Sequence, residues 1–152
     1  MNQNTLHKTI AGDEKNQWWS NLPDGWQIKP LKHISQVLLS NVDKLTVEGQ
    51  KGVLLCNYVD VYKNEKITSD LPFMVASASN EQIERLTIKK SDVLLTKDSE
   101  TPEDIGIPAI VTEELRGVVC GYHLALLRPN SEVIHSDFLF RVIQSQTIKK
   151  YF

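Results

Sequence analysis

The sequence predicts a single α+β domain, and three observations lead there. Short apolar runs rich in strand formers recur at residues 53–59, 92–96, 107–111 and 117–127. Two segments carry helix-type spacing behind a capping residue, one from Asn80 to Leu86 and one from Ser136 onward. The chain has 152 residues, 41% hydrophobic and 24% charged, which is the size and balance of one globular domain with a real core.

Taken in order, residues 1–16 read as a polar, flexible tail, and 17–135 as the domain proper. Leu31, Ile34, Leu38, Val42 and Leu45 are spaced by threes and fours as in a helix, although Val37-Leu38-Leu39 would serve equally as a strand. Gly49 to Gly52 is a turn, 53–59 a strand, and 62–66 a polar turn. Leu71-Pro72-Phe73 reads as a loop lying on the core. Asn80 is placed to cap a short helix ending at Leu86, with Glu81 near its positive end. Strand 92–96 then breaks into the polar loop 97–104, and strand 107–111 turns at Thr112-Glu113-Glu114. The apolar run 117–127 is stopped by Pro129-Asn130. Ser136 starts a helix carrying Leu139, Val142 and Ile143 and, after Gln144-Ser145-Gln146, Ile148, Tyr151 and Phe152. That pattern is still running at the last residue, so 136–152 read as the truncated start of a longer helical region.

Catalytic chemistry finds little to stand on. His7, His33, His123 and His135 form no HxxxH pair, and there is no CxxC. Cys56 and Cys120 sit in apolar runs and read as buried thiols. Cys120 and His123, three apart in a run read as strand, fall on opposite faces as a core and a surface residue. GxSxG, GxGxxG and GxxxxGK[ST] are absent. A nuclease-type acidic-x-Lys element occurs only as Asp13-Glu14-Lys15 in the tail, and Ser69-Asp70-Leu71-Pro72-Phe73 lacks the first proline of an amino-methyltransferase grip. No enzyme, cofactor or metal is expected. No apolar run nears the ~20 residues that cross a bilayer. Met1-Asn2-Gln3-Asn4 opens without a signal-peptide pattern, so a cytoplasmic protein with no membrane partner is expected.

The polar loop is the element with functional character. Lys97-Asp98-Ser99-Glu100-Thr101-Pro102-Glu103-Asp104 offers charge and hydroxyls between strands, as either a solvated connection or a presented binding loop. Lys63 and Asn64 pose the same choice: an ordinary turn, or Asn for adenine edges and Lys for phosphate or guanine. Trp18, Trp19 and Trp26 flank Leu22-Pro23-Asp24-Gly25, a turn suited to anchoring rings rather than stacking them on bases.

Three stretches together resemble a target recognition domain of the DNA-specificity subunit of type I restriction-modification enzymes. They are Trp19-Ser20-Asn21-Leu22-Pro23-Asp24-Gly25-Trp26, Cys56-Asn57-Tyr58-Val59-Asp60-Val61-Tyr62, and Asp92-Val93-Leu94-Leu95-Thr96-Lys97-Asp98-Ser99 with Leu126-Leu127-Arg128-Pro129. The resemblance departs at Ser91, where family members commonly have glycine, so a positive φ is less accessible. It implies an irregular mixed β core, partly barrel-like or double β-helix-like, with short helices and a C-terminal helix leading into a conserved helical region. It also implies reading one half of a bipartite site on double-stranded DNA, with methyltransferase and restriction subunits as partners and no catalysis on this chain. The DNA-binding candidates are then Lys63, Asn64, Lys97, Ser99 and Thr101 for the groove, with Lys89 and Lys90 on phosphates. Charge argues the other way: 17 basic against 19 acidic residues give a net −2, where DNA binding usually leaves a basic footprint. The basic residues Arg85, Lys89, Lys90 and Lys97 bracket one strand, and should share a face with the polar loops if DNA is the partner. The alternative is a non-DNA protein-interaction or regulatory domain of the same α+β class.

Overall fold

The computed structural model describes residues 22–152. The tail, Trp18, Trp19 and the Asp13-Glu14-Lys15 element lie outside the described residues. Those before Leu31 belong to a unit separate from the body Leu31–Phe152, and in them the chain turns with the Trp26 N–H donating to Pro23 O at 3.1 Å.

The body opens with a single helical turn, α1 (Leu31–Ile34), that runs directly into β1 (Ser35–Leu39), so the strand alternative wins over a helix to Leu45. β2 (Lys51–Cys56) is shorter than expected, because Asn57 caps a new helix, α2 (Tyr58–Lys63). The Asn57 side chain accepts from Val59 N, and the Asp60 carboxylate accepts from Asn57 N at 2.8 Å, a reciprocal capping box. Tyr62 and Lys63 are therefore helical, and the expected turn is reduced to Asn64 and Glu65 before β3 (Lys66–Ile67). Leu71 and Phe73 lie against the core as expected, and β4 (Met74–Ala78), unforeseen, follows them. Helix α3 (Asn80–Leu86) is capped one residue earlier than expected, by Ser79 paired with Gln82.

β5 (Val93–Thr96) and β6 (Pro108–Val111) match the expectation, with a 3₁₀ turn, Pro102–Asp104, in the loop between them. The run 117–127 is two strands, β7 (Val118–Cys120) and β8 (Leu124–Pro129), broken at Gly121. A Cβ there would stand 2.8 Å from Cys56 O, so only glycine lets the backbone approach β2 that closely. The last helices are α4 (Ser136–Gln144) and α5 (Gln146–Lys149); His135, not Ser136, is the N-cap of α4 and makes no side-chain capping bond. No described helix is long and apolar enough to cross a membrane.

Among the described residues, eight strands form two open sheets, ordered β1-β8-β5-β6-β3 and β4-β2-β7. The α+β expectation holds, with open sheets rather than a closed barrel. Most pairs are antiparallel, but β2–β7 and β3–β6 are parallel and join distant segments. The main core lies between the sheets, where Leu55, Ala76 and Val119 meet Leu94, Leu124 and Leu126. On the other face of the five-stranded sheet, Val93, Leu95, Ala125 and Leu127 meet Leu139, Phe140 and Ile143 of α4. Burying each large α4 side chain contributes about 2 kcal/mol. β5 and β8 thus face apolar layers on both sides, which is why they read as unbroken apolar runs instead of alternating. Cys56 and Cys120 are register partners across β2 and β7, both buried and both free thiols, and burial pushes both thiol pKa values well above their ordinary range.

The turn before β5 is fixed by a buried carboxylate. Asp92, 1% exposed, takes a two-point contact from Arg128, Nε at 2.9 Å and Nη2 at 2.8 Å, and also accepts from Lys89 N at 2.8 Å. The same Nη2 donates to Thr87 O at 2.9 Å. Held on one side by Asp92 and on the other by its own N–H bond to Val111 O (2.8 Å), Ser91 adopts φ +75° despite its Cβ. Two stability outcomes follow. Ser91→Gly relieves this left-handed strain and raises the unfolding free energy by about 1 kcal/mol in urea titration. Arg128→Met strands the Asp92 carboxylate and lowers it by about 3 kcal/mol, and Asp92→Leu in the same chain recovers most of the loss.

Candidate nucleic-acid interface

Four strand ends converge at one rim of the body: β1 at Ser40, β2 at Asn57, β5 at Lys97 and β7 at Gly121. Their backbones are tied to one another. Gly121 N donates to Cys56 O (2.8 Å), Tyr122 N to Val42 O (2.8 Å), Ser40 N to Leu124 O (3.2 Å) and Lys97 N to His123 O (3.0 Å). The buried Ser40 hydroxyl donates to Cys120 O at 2.6 Å and accepts from Val42 N at 3.1 Å. Loops leaving this junction therefore start from fixed strand ends.

Aromatic side chains cover the junction. Tyr58 and Tyr62, one turn apart on α2, stack with centroids 5.5 Å apart. Tyr122 meets His123 edge to face at 5.0 Å and lies under the Lys97 ammonium, 4.6 Å from its centroid. A crevice of about 100 Å³ between them is lined by Asp43, Lys44, Asn57, Tyr58, Tyr122 and His123. A larger one of about 320 Å³ runs from Tyr62, Lys63 and Asn64 to Gly106 and the last helices.

The rim also absorbs much of the acidic stretch. Asp98 pairs with His123 and lies 3.9 Å from Lys97 Nζ. The charge of Asp104 beside the Tyr62 hydroxyl holds the Tyr62 phenol above its ordinary pKa. At a different place the Ser69 hydroxyl and then the Ser69 N–H, both toward the Glu113 carboxylate, keep its carboxyl below the usual range. Asp60, inside the capping box, is pushed up by burial and pulled back by the Asn57 N–H.

Five of the seven residues singled out from sequence gather here. Lys63 is exposed at the end of α2, and Asn64 closes that helix with Nδ2 on Asp60 O at 2.8 Å. Thr101 is exposed, and its N–H donates to Ser99 Oγ at 3.2 Å. Lys97 differs from them: its ammonium donates to Ser40 O at 2.9 Å and only 21% of the side chain meets solvent. Lys89 and Lys90 are exposed at the opposite end of β5, and do not join the loops. The expected basic face of Arg85, Lys89, Lys90 and Lys97 is thus split, an outcome that counts against DNA and toward the non-DNA alternative. Sequence reading passed over Tyr58, Tyr122 and His123 as rim residues. The available signals were the Asn57-x-x-Asp60 capping box, which puts Tyr58 and Tyr62 on one helical face, and Gly121 dividing two apolar runs.

No protein-family model matches the chain, and no curated protein matches it. Solved structures do. The HsdS subunit from Thermoanaerobacter tengcongensis is similar over 90% of this chain and 31% of its own, with TM-score 0.61 and 16% identity. A structure solved for complex assembly and conformational transition of the type I R-M system is similar over 93% of this chain and 32% of its own, with TM-score 0.58 and 14% identity. At these identities the likeness is one of fold, and the chain spans about a third of either protein.

Lys97 anchors its own loop. Lys97→Met leaves Ser40 O without its cation donor, and is expected to lower stability by about 1–2 kcal/mol and to speed amide exchange at residues 122–124. Lys63→Gln, at an exposed helix end, is the comparison and is expected to stay within about 0.5 kcal/mol.

Proposed function

We propose that this chain is a target recognition domain of a type I restriction-modification specificity subunit, reading one half of a bipartite site on double-stranded DNA. The observation that carries the reading is the rim. Rigid strand ends present tyrosines, Asn64, Lys63 and the 97–104 loop on one edge, in a fold like that of HsdS. Tyrosine supplies base-edge and sugar contacts, and exposed lysine supplies phosphate contact. With a net charge of −2, this reading leaves DNA affinity to local contacts and to the partner subunits rather than to a basic footprint on this chain. Methyl transfer and cleavage belong to the partner subunits, which also contribute DNA affinity. Lys89 and Lys90, at the far end of β5, contact phosphates only if the duplex extends along the strand.

The test joins this domain to a compatible helical framework with its methyltransferase subunits and maps methylated sites across a genome. A defined half-site is expected, and exchanging residues 97–101 is expected to change it; an unchanged half-site overturns the loop's role. In binding titrations across salt, Lys63→Gln is expected to weaken all sequences alike and to reduce the log–log salt slope by about one.

A further inference from the structure

The Gly121–His123 turn is the best-fixed exposed element of the rim. Gly121 N, Tyr122 N and His123 O are all held by backbone bonds to β2, the β1–β2 connection and Lys97, and Leu124 N donates to Gly121 O at 3.0 Å. Nevertheless Tyr122 is 49% exposed and the His123 side chain 46%. The imidazole is oriented twice, by the edge-to-face contact with Tyr122 and by Asp98 at Nδ1. Its Nε2 makes no hydrogen bond among the described residues. A polar atom so firmly aimed and left open is suited to an incoming partner.

Resting on the DNA reading above, we propose that His123 is a specificity-determining residue whose Nε2 accepts a hydrogen bond from an exocyclic amino group, adenine N6 or cytosine N4, in the major groove. Asp98 is its positioning residue. The Asp98 carboxylate only accepts, so the nitrogen it faces carries the proton, and in that tautomer the lone pair lies at Nε2. Those two amino groups are the donors that bases display in the major groove. The charged and titratable neighbours fit the assignment. Lys97 neutralises the far side of Asp98, and Tyr122 and Tyr58 form the walls. Asp43 is folded back on Lys44 N at 2.6 Å, leaving exposed Lys44 beside the crevice for a phosphate.

The experiment selects from a random double-stranded DNA library with the full chain at low salt and sequences the retained pool, after thermal melts show each variant folded. The wild type is expected to prefer A or C at one position, and His123→Ala to lose that preference by about threefold to tenfold while the other positions stand. His123→Gln, which keeps an acceptor, and Asp98→Asn, which still accepts from Nδ1–H, are expected to retain it; Asp98→Ala is expected to blur it. Retention of the preference in His123→Ala, a His123-dependent guanine, or an equal loss at every position overturns the assignment. A wild-type chain that enriches no sequence overturns the inference, whereas the DNA reading stands or falls on the methylation map made with the assembled subunits.

Discussion

The structure depends on the burial of β5 and β8 from both sides. Because these strands pair with each other and carry an apolar layer on each face, neither can shift by one residue without sending a whole set of side chains to the wrong layer. Everything polar in this part of the chain is therefore forced to the strand ends. At one end Asp92 is neutralised by Arg128 from β8, and at the other Lys97 is capped by Ser40 O and the Tyr122 ring. A charge of opposite sign thus pins each end of β5, and the loop beyond Lys97 inherits that fixed origin.

The same constraint divides labour among the cations. A lysine that ties down backbone is not free to follow a phosphate, whereas Lys63 on a helix end is. Hydrogen-bonding capacity at the rim is divided in a similar way: Asn64 spends its amide on α2, and Asp98 and Asp104 are turned toward His123 and Tyr62. What remains outward is mostly aromatic and amphipathic, a surface whose chemistry favours stacking and directed hydrogen bonds over bulk charge.

Much of this was legible in the chain, and the failures have physical causes. Doubly buried strands announce themselves as unbroken apolar runs, so β5 and β6 were placed correctly. The run after Gly117 hid a turn because Gly121 is demanded by a close approach to Cys56 O, a contact from a distant strand that no local pattern carries. The expected polar turn at Tyr62–Lys66 gave way to α2 because a capping box outweighed the strand-like run Val53–Val59. Lys89, Lys90 and Lys97 looked like one cluster because sequence proximity ignores the length of the strand between them. Ser91 shows the reverse case, a residue whose reluctance was read correctly and then overridden by Asp92 and Val111.

The parallel pairing of β2 with β7 gives the rim a place in the order of folding. Antiparallel neighbours such as β5 and β6 can close through one loop, but Cys56 meets Cys120 only after most of the intervening chain has been ordered. The junction that aims Asn57, Tyr58, Tyr122 and His123 is thus assembled from contacts of long sequence separation. A partly folded chain has the loops without their common base, and so lacks the arranged surface altogether. The arrangement of the rim is in this sense a readout of completed folding.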